Sequence, residues 1–148
     1  MKGSINFFTE NIKYKISRKN TLRLWIADAI RTEKRYPGSI NIILCDDRFL
    51  LTLNRRYLKK STLTDIITFS FVEEPNELSG DIYISLTRVK ENAKKFKVLL
   101  FEELSRIIIH GILHLSGYDD QKEEERAEMR NREDFHLKRL RKLAQKTA

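Results

Sequence analysis

Two of the three histidines in this 148-residue chain lie four positions apart, at His110 and His114, within the apolar stretch IIIHGILHL. On a helix, residues four apart share one face, with about 5–6 Å between their Cβ atoms. Two imidazoles placed in this way can bind one metal ion through bonds of about 2.0–2.1 Å. On a strand they would be about 13 Å apart, too far for one ion. The metal interpretation therefore requires a helix, which the preceding LLFEELSR favours through its helix formers and early glutamates.

A third ligand can come from the segment that follows the two histidines. Catalytic metal sites commonly have three protein ligands and one open position for water. Gly117 allows the chain to reverse, and Asp119 and Asp120 follow shortly after it, so one of these carboxylates can complete a His-His-Asp set. His136 lies too far along the next charged segment to be favoured as a ligand. From these residues alone, a metal site and two core histidines beside a turn both remain open.

The spacing His110-x3-His114-x2-Gly117-x2-Asp120 is similar to the metzincin peptidase pattern H-E-x-x-H-x-x-G-x-x-H. The glutamate that acts as general base in that pattern is replaced here by Gly111. Without it, water activation for amide cleavage lacks its usual proton acceptor. A glycine at this point also opens space for backbone or substrate to approach the helix. A metallopeptidase is therefore the second enzymatic interpretation.

The composition describes a folded, basic protein. A length of 148 residues predicts a single domain over residues 1–148, and 41% hydrophobic with 34% charged residues is ordinary for such a domain. The net charge of +8 predicts a polyanionic partner, nucleic acid before membrane. No run approaches the roughly 20 apolar residues of a membrane span. The lone Cys45, expected to be buried on a strand, and the absence of a signal-like N-terminus predict a cytoplasmic location.

The hydrophobic pattern predicts an α+β fold, with a single small mixed sheet of about four strands packed by about five helices. The expected strands cover 5–8, 39–45, 64–71 and 81–86, with Pro37-Gly38 as a break before the second. The expected helices cover 17–34, 46–57, 87–96, 99–117 and 121–148, with caps at Ser17, at Asp46 or Asp47, and at Thr87. The metal site is expected at the end of the helix that carries the two histidines. Tyr57 is expected in the core, and the stripe of Leu137, Leu140 and Leu143 is expected to pack on the domain.

Three segments together resemble one known family. HGILHLSGYDD resembles the signature H-G-x-L-H-L-x-G-Y-D-H of the YbeY-type endoribonucleases, a family of rRNA maturation factors. LNRRYLKKSTLTDIITFSF resembles that family's L-N-x-x-Y-R-x-x-x-x-x-T-D-V-L-S-F segment, and GDIYIS resembles its G-D-I-x-I-S. The three segments occur in the family's order and cover about residues 44 to 120.

The resemblance implies a cytoplasmic, metal-dependent hydrolase of single-stranded RNA that acts in rRNA 3′-end maturation and ribosome quality control. It implies rRNA and the ribosome as partners, without a role on DNA or membranes, and it leaves the oligomeric state open. It also implies His110, His114 and Asp120 as the metal ligands and catalytic residues, holding one Zn²⁺ per chain, with other divalent ions also compatible.

The chain departs from the family signature at the third ligand. Asp120 stands where the signature has histidine, and a carboxylate oxygen still binds zinc at about 2.0–2.2 Å. The added negative charge should make a bound water less acidic and shift the preference towards harder ions such as Mn²⁺. Asp119 is a candidate either to orient a ligand or to stabilise the turn. Asp65 is a candidate either to hydrogen-bond an imidazole or to cap local backbone.

The second departure concerns Leu58, which stands at the position of the family's usual arginine. Leucine cannot hold phosphate or stabilise developing negative charge. The neighbouring cations, Arg55, Arg56, Lys59 and Lys60, are therefore the candidate RNA-binding residues. The departure also leaves open a function of another class, namely that of an RNA-binding or ribosome-binding factor with weak or no nuclease turnover.

Overall fold

The expected alternation of strands and helices is present in a computed structural model, which describes residues 3–58, 64–71 and 74–147. The strands are β1 (Ser4–Thr9), β2 (Tyr36–Cys45), β3 (Ile66–Ser70) and β4 (Glu77–Ser85). The helices are α1 (Lys19–Thr32), α2 (Asp47–Tyr57), α3 (Leu86–Phe96), α4 (Leu100–Leu115) and α5 (Glu123–Thr147). The expected α+β class is confirmed, with four strands and five helices in the described part of the chain.

The four strands form one mixed sheet in the order β1-β2-β4-β3. Strands β1, β2 and β4 are parallel, and β3 pairs antiparallel with β4 at one edge. Because side chains alternate along a strand, the sheet has two distinct faces. One face, with Ile42 and Ile82 at its centre, belongs to the main core, to which α1, α3, α4 and α5 also contribute buried residues. On the other face a smaller cluster forms around Cys45, Leu50 and Ile67, to which α2 contributes.

The expected boundaries were wrong at four places. Strand β4 begins at Glu77 rather than at Asp81, because Glu77 and Leu78 pair with the start of β2. The break expected at Pro37 lies inside β2, at a shift of register between Pro37 and Ile40. Proline is tolerated there because that part of β2 extends beyond the end of β1 and has a partner strand on one side only. Helix α3 is capped by Ser85, whose hydroxyl accepts from the Arg88 N–H at 3.2 Å, and not by Thr87, because β4 leads directly into the helix. Helix α1 begins after Arg18 rather than at Ser17.

The expectation of a core position for Tyr57 was also wrong. This residue is 59% exposed, and its ring makes an edge contact with Phe69 at 5.7 Å between centroids. Tyr57 is the last residue of α2, and Phe69 belongs to the edge strand β3, so the contact lies at the border of the sheet. Cys45, in contrast, is buried as expected, and burial raises the pKa of its thiol to about 12.

Helix α4, which carries the two histidines, lies unusually close to the sheet at Gly111. A Cβ atom at this position would lie 2.9 Å from Ile66 Cδ1 and 2.9 Å from Ile82 Cγ2. The glycine therefore removes the one side chain that would hold the helix away from β3 and β4. This contact sets the rotation of α4 and, with it, the direction in which His110 and His114 project.

A buried hydrogen-bonded cluster joins the end of α1 to α5 and to the turn after α4. The Glu33 carboxylate accepts from Arg132 at 2.6 Å, from His136 Nε2 at 2.6 Å and from the Tyr118 hydroxyl at 2.8 Å. Trp25 Nε1 donates to the main-chain oxygen of His136 at 2.7 Å. His136 is fully buried, and its Nδ1 atom has no hydrogen-bond partner among the described residues. Burial lowers the pKa of His136, although the bond to Glu33 opposes this effect.

Gly111→Ala is expected to lower the free energy of unfolding by up to about 2 kcal/mol. The overpacking penalty of about 1–3 kcal/mol against Ile66 and Ile82 exceeds the gain of about 1 kcal/mol in helix propensity. Urea unfolding would measure the loss. Adding Ile66→Val, which removes the Cδ1 atom in the way, should make the double variant more stable than the sum of the two single changes. Simple additivity would show that the close approach is not a constraint.

The stability of the protein is expected to fall on acidification through the ordinary histidine pKa, partly because of His136. A histidine whose pKa is lowered in the folded state binds fewer protons there than in the unfolded state, so stability decreases below about pH 6.5, by at most about 1.4 kcal/mol per pH unit. His136→Gln retains a donor for Glu33 but cannot titrate. Urea unfolding at pH 7.5 and pH 5.5 should show a smaller loss for this variant, whereas equal losses would contradict the assignment.

Candidate metal centre

Three ligand atoms converge at the C-terminal end of α4. His110 Nε2 and His114 Nε2 are 3.0 Å apart, and Asp120 Oδ2 lies 3.3 Å from each of them. A tetrahedral ion with bonds of about 2.0–2.1 Å separates its ligands by about 3.3–3.4 Å. The three atoms therefore define one face of a tetrahedron of zinc size and leave a fourth position for water or substrate. The group could hold a metal ion.

The end of α4 is built to bring Asp120 back to the histidines. The Gly117 N–H donates to the His114 carbonyl at 3.1 Å, and the Tyr118 N–H donates to the Leu113 carbonyl at 3.0 Å. Gly117 adopts a φ of 110°, which only glycine takes without strain. Arg126 then donates to the main-chain oxygen of Gln121 at 2.6 Å, just beyond the returning aspartate. The reversal is thus fixed from both sides of Asp120.

Hydrogen bonds to the other ring nitrogens orient both imidazoles. His110 Nδ1 donates to Glu133 Oε2 at 2.7 Å, and His114 Nδ1 donates to the Tyr118 carbonyl at 3.0 Å. Because both acceptors lack protons, the protons reside on the Nδ1 atoms and the Nε2 lone pairs face the carboxylate of Asp120. Three electron-pair donors at this distance repel one another unless a cation lies between them. The donor set therefore suits a divalent metal ion.

Charges around His110 strengthen it as a ligand. Burial lowers its pKa, but the hydrogen bond and charge of Glu133 and the charges of Asp120 and Asp65 outweigh burial, so that the pKa is raised. Glu133 is itself buried and held by Arg106 at 2.9 Å. The carboxylate on α5 is thus a fixed support for the imidazole, and a more basic imidazole is a stronger metal ligand.

The two other acidic candidates, Asp119 and Asp65, lie in different surroundings. Asp119 is exposed and lines a different depression, beside Glu33 and Gly117. The main-chain oxygen of Asp65 accepts from the Ser85 N–H at 3.0 Å, and its side chain lines the cavity next to the ligand triad. In the described residues, no hydrogen bond joins either side chain to an imidazole.

The candidate RNA-binding cations are not brought to the triad by the described structure. Arg55 and Arg56 are exposed in the last turn of α2, and neither lines the cavity beside His110 and Asp120. Leu58, directly after that helix, is exposed as well. Lys59 and Lys60 lie outside the described residues.

Sequence reasoning missed Glu133, the partner of His110. A signal for it exists in the stripe of leucines on α5. Extended towards the N-terminus at helical spacing, that stripe passes through His136, Glu133 and Met129, all of which are buried. A charged residue on the apolar face of a helix requires a buried partner, and a histidine is a natural one.

Comparison with known proteins identifies the family of this chain. The family model described as endoribonuclease YbeY matches residues 5–141. This chain belongs to the YbeY family. The endoribonuclease YbeY of Christiangramia forsetii is 46% identical over 141 residues, covering 92% of this chain and 97% of its own length. The Flavobacterium psychrophilum protein of the same name is 44% identical, covering 88% and 93%.

A solved structure of similar fold also matches the chain. The solution structure of TM1509 from Thermotoga maritima matches with a TM-score of 0.64 and 26% identity, covering 93% of this chain and 89% of that one. The resemblance noted in the sequence is confirmed by the family model and by the named relatives. In the described part of this YbeY-family chain, no helix is long and apolar enough to cross a membrane.

Glu133→Gln is expected to weaken metal binding by about 10–100-fold, because a neutral amide neither increases the basicity of His110 nor fixes its tautomer as a carboxylate does. Asp134→Asn is the matched control, since Asp134 also binds Arg106, at 2.7 Å, but makes no contact with His110. Competition with a fluorescent zinc chelator measures both affinities. Equal affinities in the two variants would rule out a specific role for Glu133.

Proposed function

We propose that this chain acts, over its whole length, as one metal-dependent hydrolase domain, an endoribonuclease that cleaves phosphodiester bonds in single-stranded RNA. The observation that carries the proposal is the convergence of two Nε2 lone pairs and one carboxylate oxygen within 3.3 Å of one another. Curated relatives over 40% identical to the chain carry the name endoribonuclease YbeY, and this supports RNA as the substrate.

The roles of the residues follow from their contacts. A Zn²⁺ ion held by His110, His114 and Asp120 would lower the pKa of a bound water and polarise a phosphoryl oxygen. Glu133 keeps the proton of His110 on Nδ1, and the Tyr118 carbonyl does the same for His114. Zinc is the favoured ion because two imidazoles and one carboxylate form a common catalytic zinc set. The carboxylate also makes Mn²⁺ acceptable.

The proposed setting is the cytoplasm, where the enzyme would act on rRNA 3′ ends and in ribosome quality control. The family relationship supports this setting, and the net charge of +8 favours an RNA partner. Arg55, Arg56, Lys59 and Lys60 are proposed to hold the RNA strand outside the immediate site. Their position next to Leu58 makes them substitutes for the arginine of the family pattern.

A metallopeptidase is disfavoured by the position of Gly111. The glutamate that serves as general base in metzincins would stand here, yet this position faces Ile66 and Ile82 of the sheet rather than the triad. The second candidate function is an RNA-binding factor without turnover. Leu58, which carries no charge where the family pattern has arginine, is the observation that favours it.

Metal dependence separates these functions. Protein purified without added metal should contain close to one equivalent of zinc and should cleave single-stranded RNA but not duplex RNA or single-stranded DNA. A chelator should stop cleavage, and added Zn²⁺ should restore it. Asp120→Ala should lose the metal and at least about 100-fold in kcat/KM, because the ion contributes several kcal/mol of transition-state stabilisation.

Asp119→Ala is the matched control and should retain both metal and activity, since the exposed Asp119 side chain lies outside the triad. Binding of RNA that survives the chelator, without cleavage in Zn²⁺ or Mn²⁺, would favour the RNA-binding factor. Cleavage of casein without cleavage of RNA would favour the peptidase.

A further inference from the structure

A cavity of about 380 Å³ lies between α3, α4 and α5 and opens next to the metal ligands. His110 and Asp120 belong to its lining, as do Asn92 and Phe96 of α3 and Glu103 of α4. Its volume falls in the range of small-molecule sites. Three of its lining residues have no role in the metal site or in the core, namely Phe96, Glu103 and Arg130.

Phe96 is the first of these groups. Its side chain is 58% exposed, although it stands on the wall of a cavity rather than on a convex surface. Phe96 is the last residue of α3, which ends at Lys97 with hydrogen bonds to the Ala93 and Lys94 carbonyls, so its backbone is fixed. The Lys95 ammonium lies over the ring at 5.7 Å from its centroid. An exposed ring on the wall of this cavity is a stacking surface for a nucleobase, a contact that contributes about tenfold or more to affinity.

Glu103 is the second unexplained group. It is only 5% exposed, and no hydrogen bond or ion pair within 4.0 Å joins its carboxyl group to any other described residue. The pKa of Glu103 is raised, because burial and the charges of Asp65 and Glu133 outweigh the positive charges of Arg106 and Arg130. The Glu103 side chain lines the cavity without a donor from the described residues, so a ligand that offers N–H groups there can donate to its carboxylate.

Glu103 lies at a suitable distance from the metal site. Glu103 precedes His110 by seven residues, or two turns of α4, so their Cα atoms are about 10.5 Å apart along the helix. One nucleotide spans this separation from its phosphate to the far edge of its base. Arg130 is exposed at the same cavity and has no hydrogen bond or ion pair to other described residues, so it remains available for a phosphate.

We propose that this cavity binds a guanine base of the RNA substrate, with the ring stacked on Phe96 and the N1–H and N2–H groups donating to the Glu103 carboxylate. Only guanine presents two adjacent donors on its Watson–Crick edge. The other three bases place an acceptor next to each donor, and that acceptor would face a carboxylate oxygen. The proposal rests on the proposed function, because it places the guanine within one nucleotide of the bond that is cleaved.

The direct test is the binding of the four nucleoside monophosphates, measured by calorimetry with zinc-loaded and with metal-free protein. GMP should bind at least about tenfold more tightly than AMP, CMP or UMP in both forms. Glu103→Gln, which replaces one acceptor oxygen by a donor, should abolish this preference. Glu102→Gln, next to it on α4 but paired with Arg141 outside the cavity, should retain it.

Phe96→Leu provides a second variant that does not depend on a buried position. It should weaken binding of all four nucleotides about tenfold while leaving thermal unfolding unchanged. Phe8→Leu is its matched control, because Phe8 is 51% exposed on β1 and does not line the cavity. Equal affinities of the wild type for all four nucleotides, or a preference for GMP that survives Glu103→Gln, would overturn the proposal.

Cleavage assays distinguish a failure of this inference from a failure of the proposed function. RNA cleavage without a preference for guanosine next to the cleaved bond, and without an effect of Phe96→Leu, would refute the guanine subsite alone. Selective binding of GMP by a protein that cleaves no RNA with any metal would refute the nuclease and leave the guanine site standing.

Discussion

The site depends on two hydrogen bonds that are not made by the metal-facing atoms. Glu133 and the Tyr118 carbonyl each hold a proton on an Nδ1 atom, and this leaves the Nε2 atoms of His110 and His114 as bare acceptors 3.0 Å apart. If either bond were lost, the ring could turn or its proton could move to Nε2, where it would block metal binding. The arrangement therefore presents the two imidazole nitrogens and the Asp120 carboxylate to one common point, as a metal site requires.

Those two hydrogen bonds in turn require that α5 and the turn after α4 be held in place. Glu33 does this from the end of α1, because one carboxylate accepts from Tyr118 in the turn and from Arg132 and His136 on α5. The other half of the positioning comes from Gly111, which lets α4 rest on the sheet. The metal centre thus depends on helix-to-helix and helix-to-sheet contacts as well as on its three ligands.

The local part of this design could be predicted from the sequence, and the long-range part could not. The helix with its histidines four apart and the return at Gly117 follow from spacing and turn chemistry, which act over a few residues. Glu133 is 23 positions beyond His110, so that nothing in the local pattern connects the two. The core position predicted for Tyr57 was wrong for a related reason. The periodicity of α2 identifies which face of the helix is apolar, but it does not show where the sheet beneath that face ends.

The charges at the centre also explain why Asp120 is tolerated in place of a histidine. A divalent ion with Asp120 and the supporting Glu133 is neutral in sum, and Arg106, which binds Glu133 at 2.9 Å, returns one positive charge to this neighbourhood. Arg126 and Arg130 line the same cavity and offset the carboxylates of Asp65 and Glu103, which line it as well. The site therefore stays attractive to a phosphodiester despite the additional carboxylate. A third histidine supplies this attraction through the ligand set itself, whereas here the surrounding arginines supply it.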